Sequence, residues 1–179
     1  MITPMTFQDS LCRFLEKEVA PLHTLKSVDR SGVESLNPPR VYRSGWILPQ
    51  SIDDEAAGCE KFPYILTRIE KIENLTNERV SAVTVLILFG VYDPGVYDPA
   101  GNYIDDGSGY RDFWNLIETT RQRLFEVHTL DRKYMIVDDF FEASMLEQQI
   151  YPYWEGFCKT KWYVHFPLPR VEFKDPNIF

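Results

Sequence analysis

Oxygen-bearing side chains are concentrated in one short stretch of the sequence, DPGVYDPAGNYIDD, which begins at residue 93. Its candidate ligands for a hard cation such as Ca²⁺ are Asp93, Asp98, Asn102, Asp105 and Asp106, with Tyr97 and Tyr103 between them. An EF-hand loop needs oxygen ligands at its first, third and fifth positions and glycine at its sixth. Counted from Asp98, the third position is Ala100, and Gly101 comes two places too early. The spacing therefore favours turns, which select Asp, Asn, Gly and Pro, over a metal site.

Nucleophiles and metal ligands are sparse elsewhere in the chain. The histidines and cysteines are His23, His128, His165, Cys12, Cys59 and Cys158. No CxxC pair is present, so neither a zinc ribbon nor a disulfide framework is indicated. Cys158 and His165 could be drawn as a nucleophile and its base, but no glycine turn of the oxyanion type accompanies them. The sequence also lacks a phosphate-binding loop, GxGxxG, GxSxG and HExxH, so we expect no enzyme activity and no cofactor.

The charge and composition narrow the class of protein further. The formal net charge is -8, which repels a polyanion and disfavours a protein that wraps nucleic acid, although an acidic wall past which DNA moves remains compatible. No signal-peptide pattern and no run of about 18 apolar residues occurs, so we expect a cytoplasmic protein with reduced cysteines. Aromatic residues make up 15% of the chain, a content that suits an interface with a partner chain.

Hydrophobic periodicity predicts a helix, a connection and a long hairpin in the first half of the chain. Thr6 is the predicted cap of a helix that Pro21 ends, and apolar residues recur at helical spacing between them. A connection rich in Ser, Gly, Pro and Asn leads to a strand-like segment at 41–48. Apolar and charged residues alternate over 64–73, and residues 80–89 are apolar at nearly every position. These two patterns predict a hairpin whose second strand is central in a sheet and covered on both faces.

A second helix and two further strands are predicted in the second half. The helix is predicted to start near Ser108, with Asp112 in its first turn. Its apolar face consists of Tyr110, Phe113, Trp114, Ile117 and Leu124. Residues 132–144 and 161–169 are strand-like and are joined by a predicted connection over 145–158.

These elements predict an α+β fold, in which a mainly antiparallel sheet of four to five strands carries two helices packed on one face. We predict a single domain over 1–179. Within it, residues 1–39 form an N-terminal helix and linker, residues 40–168 the sheet and helix core, and residues 169–179 a C-terminal tail.

The order of these pieces resembles that of a known family. A buried strand ends in LFGVYD, a loop of Gly and Asp follows, then GYRDFWNLIETTRQRLFE, a pair of strands and finally YPYWEGFCKTKWYVHFP. Over residues 80–167 this arrangement resembles the tail terminator, or tail completion, proteins of long-tailed bacteriophages and prophages. The positions that carry the resemblance are Gly109, Tyr110, Arg111, Asp112, Arg121, Gln122, Pro152, Tyr153, Trp154, Gly156 and Trp162.

The resemblance implies a structural protein that forms a ring, a hexamer, at the head-proximal end of the tail tube. Such a ring would stop tail polymerisation and provide the surface for head–tail joining. Its implied partners are the tail-tube protein and a head-completion or connector protein, with DNA only as cargo and no membrane. Its implied location is the virion tail, after assembly in the bacterial cytoplasm. Two other hypotheses stay open: a small metal-dependent hydrolase or nuclease that uses the aspartates of residues 93–106, and a monomeric binding protein.

The loop after the predicted central strand departs from the family pattern. The phrase VYDP occurs at 91–94 and again at 96–99, and residues 93–108 are longer than the family usually carries. A connection of this length without secondary structure of its own is often functional. We therefore predict that the loop contacts a neighbouring subunit or the next ring of the virion. Deleting residues 93–99 is expected to leave a folded monomer that assembles poorly.

Overall fold

The computed structural model describes residues 3–29, 32–43, 61–75, 80–100, 102–104 and 107–164. Its α-helices are α1 (Pro4–Phe14) and α2 (Ser108–Val127). Its strands are β1 (Leu25–Val28), β2 (Glu34–Asn37), β3 (Arg40–Tyr42), β4 (Tyr64–Leu75), β5 (Val80–Tyr92), β6 (Val96–Tyr97), β7 (Tyr103–Ile104), β8 (Thr129–Leu130), β9 (Tyr134–Met145) and β10 (Tyr153–Val164). The predicted loop positions Asp105 and Asp106 and the predicted tail 169–179 lie outside the described residues. Neither described helix is long and apolar enough to span a membrane.

Six strands form the main sheet, in the order β3, β4, β5, β10, β9, β8. Neighbouring strands run antiparallel except β3, which lies parallel to β4. The predicted α+β character is confirmed, but the predicted count of four to five strands is wrong. Strand β8 was missed because two residues are too short to show a period-two pattern. Two further two-stranded sheets were not predicted: β1 with β2, whose strands have four residues each, and β6 with β7, whose strands have two.

The predicted hairpin of β4 and β5 is present, and β5 lies inside the sheet. The pairing runs from Tyr64 opposite Gly90 to Leu75 opposite Val80. Alternate β5 side chains are fully buried in the main core, namely Val83, Val85, Ile87, Phe89 and Val91. This burial follows from the near-continuous apolar run, which places an apolar residue on both faces at each step.

The second face of β5 is covered by different groups at its two ends. Near the end of the strand, Tyr92 and Leu88 belong to a smaller aromatic cluster with Phe62, Tyr64 and Leu66. At the other end, cross-strand ion pairs replace apolar cover: Lys159 lies 2.8 Å from Glu70 and Lys161 lies 3.2 Å from Glu73. Ala82 and Thr84 on this face are 0% and 5% exposed, so the prediction that β5 is covered on both faces is confirmed for most of its length.

Helix α1 begins three residues earlier than predicted, because Thr3 caps it instead of Thr6. The Thr3 hydroxyl accepts a hydrogen bond from the Thr6 amide at 3.1 Å, and the Thr6 hydroxyl accepts one from the Thr3 amide at 2.8 Å. Pro4 occupies the first helical position, where its missing N–H costs nothing. A π turn at Leu15–Val19 and a 3₁₀ turn at Ala20–Leu22, which contains Pro21, continue the helical run.

Helix α2 follows the prediction over most of its length. Gly107 is its N-cap, with a φ of 68°, and Ser108 is the first helical residue. Asp112 lies beyond the first turn, where the predicted effect of the helix dipole has largely faded. Side chains of α1 and α2 enter the same core as the inward-facing residues of β5, so both helices pack on one face of the sheet.

Strand β10 begins eight residues before the predicted strand. The predicted connection over 145–158 is therefore wrong in its second half, since Tyr153 pairs with Tyr92 and Gly156 pairs with Phe89. Pro152 and Gly156 suggested a loop in the sequence. In the structure Pro152 precedes the strand, and Gly156 lies within it for a packing reason described below.

Candidate functional site

Asp93, at the end of β5, joins four separate parts of the chain. Its side chain is 6% exposed. One carboxylate oxygen accepts hydrogen bonds from the Gly109 amide, at 2.6 Å, and from the Ser108 hydroxyl. The other accepts from Lys26 Nζ, at 2.5 Å, and from the Gly95 amide, at 3.1 Å. Asp93 therefore holds β1, the loop that follows β5 and the start of α2 at fixed positions relative to one another.

The electrostatics of Asp93 favour its charged form. Burial alone would raise the pKa of Asp93, but hydrogen bonds from Lys26, Ser108 and Gly95 and the charge of Lys26 outweigh burial, so the pKa lies below its usual value. The first amides of α2 also carry the positive end of the helix dipole. An acid at this helix start, which the sequence analysis assigned to Asp112, is thus supplied from outside the helix by Asp93.

The loop after β5 contains its own small hairpin. Val96 pairs with Ile104 and Tyr97 with Tyr103 in the two-stranded sheet of β6 and β7. The prediction of a loop without secondary structure was wrong because each strand has only two residues. Val96 and Ile104 are each 48% exposed, side by side on the hairpin.

Asp98 holds the turn of this hairpin, as its turn-forming residue type predicts. One carboxylate oxygen accepts hydrogen bonds from the Ala100 amide at 2.9 Å and from the Asn102 amide at 2.7 Å. The other accepts from Asn102 Nδ2 at 2.9 Å. Asp98 and Asn102 therefore bond to each other and to the turn backbone.

Two positions of the resembling motif, Gly109 and Trp154, are in direct contact. A Cβ atom at Gly109 would lie 2.2 Å from Trp154 Nε1 and 2.7 Å from Asp93 Cβ, so only glycine fits there. The Tyr110 ring centre lies 6.1 Å from that of Trp154 in an edge-to-face arrangement. Tyr110, predicted to face the core, is instead 48% exposed. This contact fixes the start of α2 on β10.

Gly156 makes a second close contact between α2 and β10. A Cβ atom there would lie 2.5 Å from Phe113 Cζ and 2.4 Å from the Ser144 carbonyl oxygen. The absent side chain therefore lets the ring of Phe113, which is fully buried, reach the sheet. Strand β10 thus needs glycine at position 156, because α2 packs tightly over it.

The turn before β10 is bound to the beginning of the loop. The Asp93 amide donates to the Pro152 carbonyl at 3.0 Å, and the Tyr151 hydroxyl donates to the Pro94 carbonyl. Tyr153 stacks on Phe62 with ring centres 4.6 Å apart. We call this end of the molecule the loop end, and its exposed apolar side chains are Val96, Ile104, Tyr110, Ile150 and Tyr151.

Of the remaining motif positions, Arg111 and Asp112 directly follow Tyr110, whereas Arg121 and Trp162 lie farther along their elements. Arg111 is exposed and Asp112 half-buried on α2. Arg121 forms a two-bond ion pair with Glu118, at 2.8 and 2.7 Å, and its hydrogen bonds lower the pKa of Glu118 to about 2. Trp162 is fully buried in the core, next to Phe7.

The described part of the chain does not gather groups for metal or nucleophilic chemistry. No three His, Cys, Asp or Glu side chains come together among these residues. Cys12 and Cys158 are buried, and burial raises the pKa of both thiols. His165, considered above as a base for Cys158, lies outside the described residues.

Sequence reasoning missed Lys26 altogether. It lies 67 positions before Asp93, in a connection where lysine carries no local signal. The sequence predicts Asp93 as a loop residue and not as the anchor of the loop. The only feature of the sequence that points to Asp93 as an anchor is an acidic residue directly after an apolar strand.

Replacing Gly109 by alanine is expected to destabilise the fold by about 2 kcal/mol, because the new methyl group overlaps Trp154 and Asp93. Helix propensity alone predicts the opposite sign, a gain of about 1 kcal/mol. Urea denaturation of G109A measures the sum of the steric and helix-propensity contributions to the free energy of unfolding. Gly107→Asn serves as the control, since no atom lies within 4 Å of a Cβ there and asparagine tolerates the positive φ. A G109A protein as stable as the wild type would contradict the described contact.

No protein-family model matches the chain, and a search of the curated proteins finds no significant match.

Proposed function

We propose that this protein is a structural assembly protein of a long-tailed bacteriophage or prophage. Its subunits form a ring, a hexamer, at the head-proximal end of the tail tube. The ring stops tail polymerisation and provides the surface for joining to the head. The protein belongs to the virion tail, catalyses no reaction and needs no cofactor.

The observation that carries this proposal is how the loop end is built. Three of the positions that carry the family resemblance, Gly109, Tyr110 and Trp154, contact one another. Asp93 accepts a hydrogen bond from the Gly109 amide at the same helix start. These contacts fix the position of a hairpin and a turn. The hairpin and turn then present exposed apolar residues, which is the composition expected at the centre of a protein–protein contact.

Ring geometry explains how such a subunit can end a polymer. Subunits that meet head to tail around a closing rotation bury all their lateral surfaces, so only the two faces of the ring remain for partners. One face binds the last ring of the tail-tube protein, and the other binds the head-completion or connector protein. The net charge of -8 suits a channel that DNA passes through, because a basic lumen would retain the phosphates.

The structure changes how the loop should be tested. The deletion of residues 93–99 considered above would remove the Asp93 anchor and is now expected to destabilise the monomer. A change limited to the hairpin leaves the anchor intact. We therefore choose Val96→Ser combined with Ile104→Ser, two exposed side chains that pair across β6 and β7.

The wild type is expected to form hexamers in native mass spectrometry at high concentration, and V96S/I104S to remain largely monomeric with an unchanged melting temperature. The reason is that the substitutions remove apolar surface only from the contact. The matched control is Val33→Ser with Leu36→Ser, since these residues are 59% and 64% exposed and lie outside the hairpin of β6 and β7. Equal assembly of V96S/I104S and wild type would exclude the hairpin as an assembly contact. A wild type that stays monomeric would contradict the proposed ring itself.

A further inference from the structure

We propose that Ile150 of one copy of this chain inserts into a cavity at the opposite end of a second copy, and that this contact joins neighbouring subunits head to tail. The cavity lies between the second half of α1 and β8, and we call it the α1–β8 cavity. The inference rests on the ring proposed above and names the two surfaces through which its subunits meet.

The α1–β8 cavity is large enough for an apolar side chain and has an apolar wall. Its volume is about 220 Å³, and Phe14, Val127 and Leu130 line it. Leu130 is buried, whereas Val127 is 45% exposed, so apolar surface stays uncovered at this site. A cavity of about 150 Å³ already holds a benzene molecule, so the α1–β8 cavity admits an isoleucine side chain.

Hydrogen bonds and an ion pair fix the rim of the cavity. Ser10 Oγ donates to Asp131 Oδ2 at 2.5 Å, and Arg13 Nη2 lies 3.1 Å from the same oxygen. Asp131 and Arg132 have positive φ angles of 49° and 54° in the turn that joins β8 to β9. Residues other than glycine keep this conformation only where their surroundings hold it. The cavity is therefore preformed, which lowers the cost of filling it.

Ile150 is the most exposed large apolar side chain among the described residues, at 74%. It lies in the turn between β9 and β10, and its carbonyl accepts a hydrogen bond from the Tyr153 amide at 2.8 Å. In the same turn Gln149 Nε2 donates to the carbonyls of Leu146 and Glu155, at 2.7 and 2.8 Å. The turn thus presents an apolar side chain in a fixed position, which reduces the entropy lost on binding.

Ile150 and the cavity lie at opposite ends of the main sheet. Ile150 precedes β10, whose first residue, Tyr153, is at the loop end. At the other end of β10, Val164 pairs with Tyr134, which in turn pairs with Leu130 of the cavity wall. The twelve residues of β10 separate the two ends by roughly 35 Å. One copy therefore cannot fill its own cavity, whereas copies related by a closing rotation can each fill the next.

The charges beside the two surfaces are complementary. Lys17 lines the cavity, and Glu147 lies three residues before Ile150. Both side chains are exposed, and neither forms an ion pair within the part of the chain that the structure describes. Glu18 at the cavity and Arg111 at the start of α2 are a second acid and base of this kind. Insertion of Ile150 would bring opposite charges to one contact, where their attraction fixes its orientation.

The test uses two variants that each remove one side of the contact. Ile150→Ser removes the inserted side chain, and Val127→Trp fills the cavity with an indole ring. Because both positions are exposed, each variant is expected to keep the wild-type melting temperature. Each is also expected to raise the concentration at which half the protein is oligomeric by at least about tenfold. Native mass spectrometry over a concentration series measures this change.

Mixing the two variants in equal amounts shows whether the two surfaces meet each other. The mixture is expected to form heterodimers, because V127W retains Ile150 and I150S retains an open cavity. Assembly should stop at two subunits, since the other half of the contact is broken in both copies. The matched control is Ile72→Ser, whose side chain is 46% exposed on β4 and belongs to neither surface. It is expected to assemble like the wild type.

An exchange of charges covers the case in which Val127→Trp fails to fold. Lys17→Glu and Glu147→Lys are each expected to weaken assembly, and the double variant to restore it. Failure of the double variant to restore assembly would overturn the contact.

The outcomes separate this contact from the ring. An oligomer that Ile150→Ser leaves intact overturns the contact but not the ring. Variants that do not assemble alone and give no heterodimer when mixed also overturn it, since the two surfaces then do not meet. A wild type that forms no oligomer overturns both the contact and the ring.

Discussion

Replacing Asp93 by alanine is expected to destabilise the protein by about 3 kcal/mol, more than any other single change at the loop end. The substitution removes the carboxylate that accepts hydrogen bonds from the Lys26 ammonium and the Gly109 amide. Lys26 keeps 30% of its side chain exposed, so water relieves part of the loss and the effect lies at the lower end for a broken buried pair. Urea denaturation of D93A measures the change in the free energy of unfolding.

The matched control is Asp98→Ala, which removes a carboxylate of the same loop. The hydrogen bonds that Asp98 accepts from Ala100 and Asn102 are exposed to solvent, so its loss is expected to cost about 1 kcal/mol or less. Equal effects of D93A and D98A would contradict the assignment of Asp93 as the anchor between β1, the loop and α2.

The pH dependence of stability gives the same prediction an independent check. The pKa of Asp93 is lower in the folded protein than its ordinary value, which is about 3.9 in an unfolded chain. Its ionisation therefore stabilises the fold fully above about pH 4, and this contribution is lost as the pH falls through the folded-state pKa. The stability difference between the wild type and D93N should be constant near neutral pH and shrink below about pH 4. A difference that grows on acidification would mean that the carboxylate is not held in its charged form.

Replacing Trp162 by alanine is expected to destabilise the fold by about 3–5 kcal/mol. The side chain is fully buried, and its ring centre lies 5.4 Å from that of Phe7 on α1. The substitution opens a large cavity between α1 and the sheet. It also removes the hydrogen bond that Trp162 Nε1 donates to the buried Thr160 hydroxyl at 3.0 Å in the wild type. Guanidinium denaturation measures the loss in the free energy of unfolding. If Trp162→Ala lowered stability by less than Tyr163→Ala, on the other face of β10, the assignment of Trp162 to the core would be contradicted.

The comparison between α2 and the short strands shows what the sequence can predict. Helix α2 and strands β4 and β5 were recognised because each is long enough to repeat its apolar period several times. Strands β6, β7 and β8 have two residues each, so they contain no period to detect. Their existence depends on tertiary contacts, such as the bonds of Asp93 that hold the loop against α2.

Glycine and proline misled the prediction of β10. Gly156 and Pro152 are typical of turns, and together they suggested a connection. This position of the strand needs glycine because a Cβ atom would collide with Phe113, which lies more than forty positions earlier in the sequence. A contact across that separation is determined by the packing of the whole domain and leaves no trace in the local sequence.

The candidate site was predictable in most of its residues, with the exception of Lys26, but not in their contacts. Asp93, Tyr110 and Trp154 were all selected from sequence. Their convergence at one end of the molecule depends on the register of β10 against β5, which pairs Tyr153 with Tyr92. The partner Lys26 lies in the N-terminal segment, for which the sequence predicts only a helix and a linker.

Electron microscopy of the purified protein at high concentration tests the central claim most directly, because averaged images show whether copies of this chain close into a ring. The account predicts ring-shaped particles of six subunits with a central opening, and their loss in V96S/I104S. Particles the size of one chain at every concentration would contradict the account and return attention to a monomeric binding protein or a hydrolase.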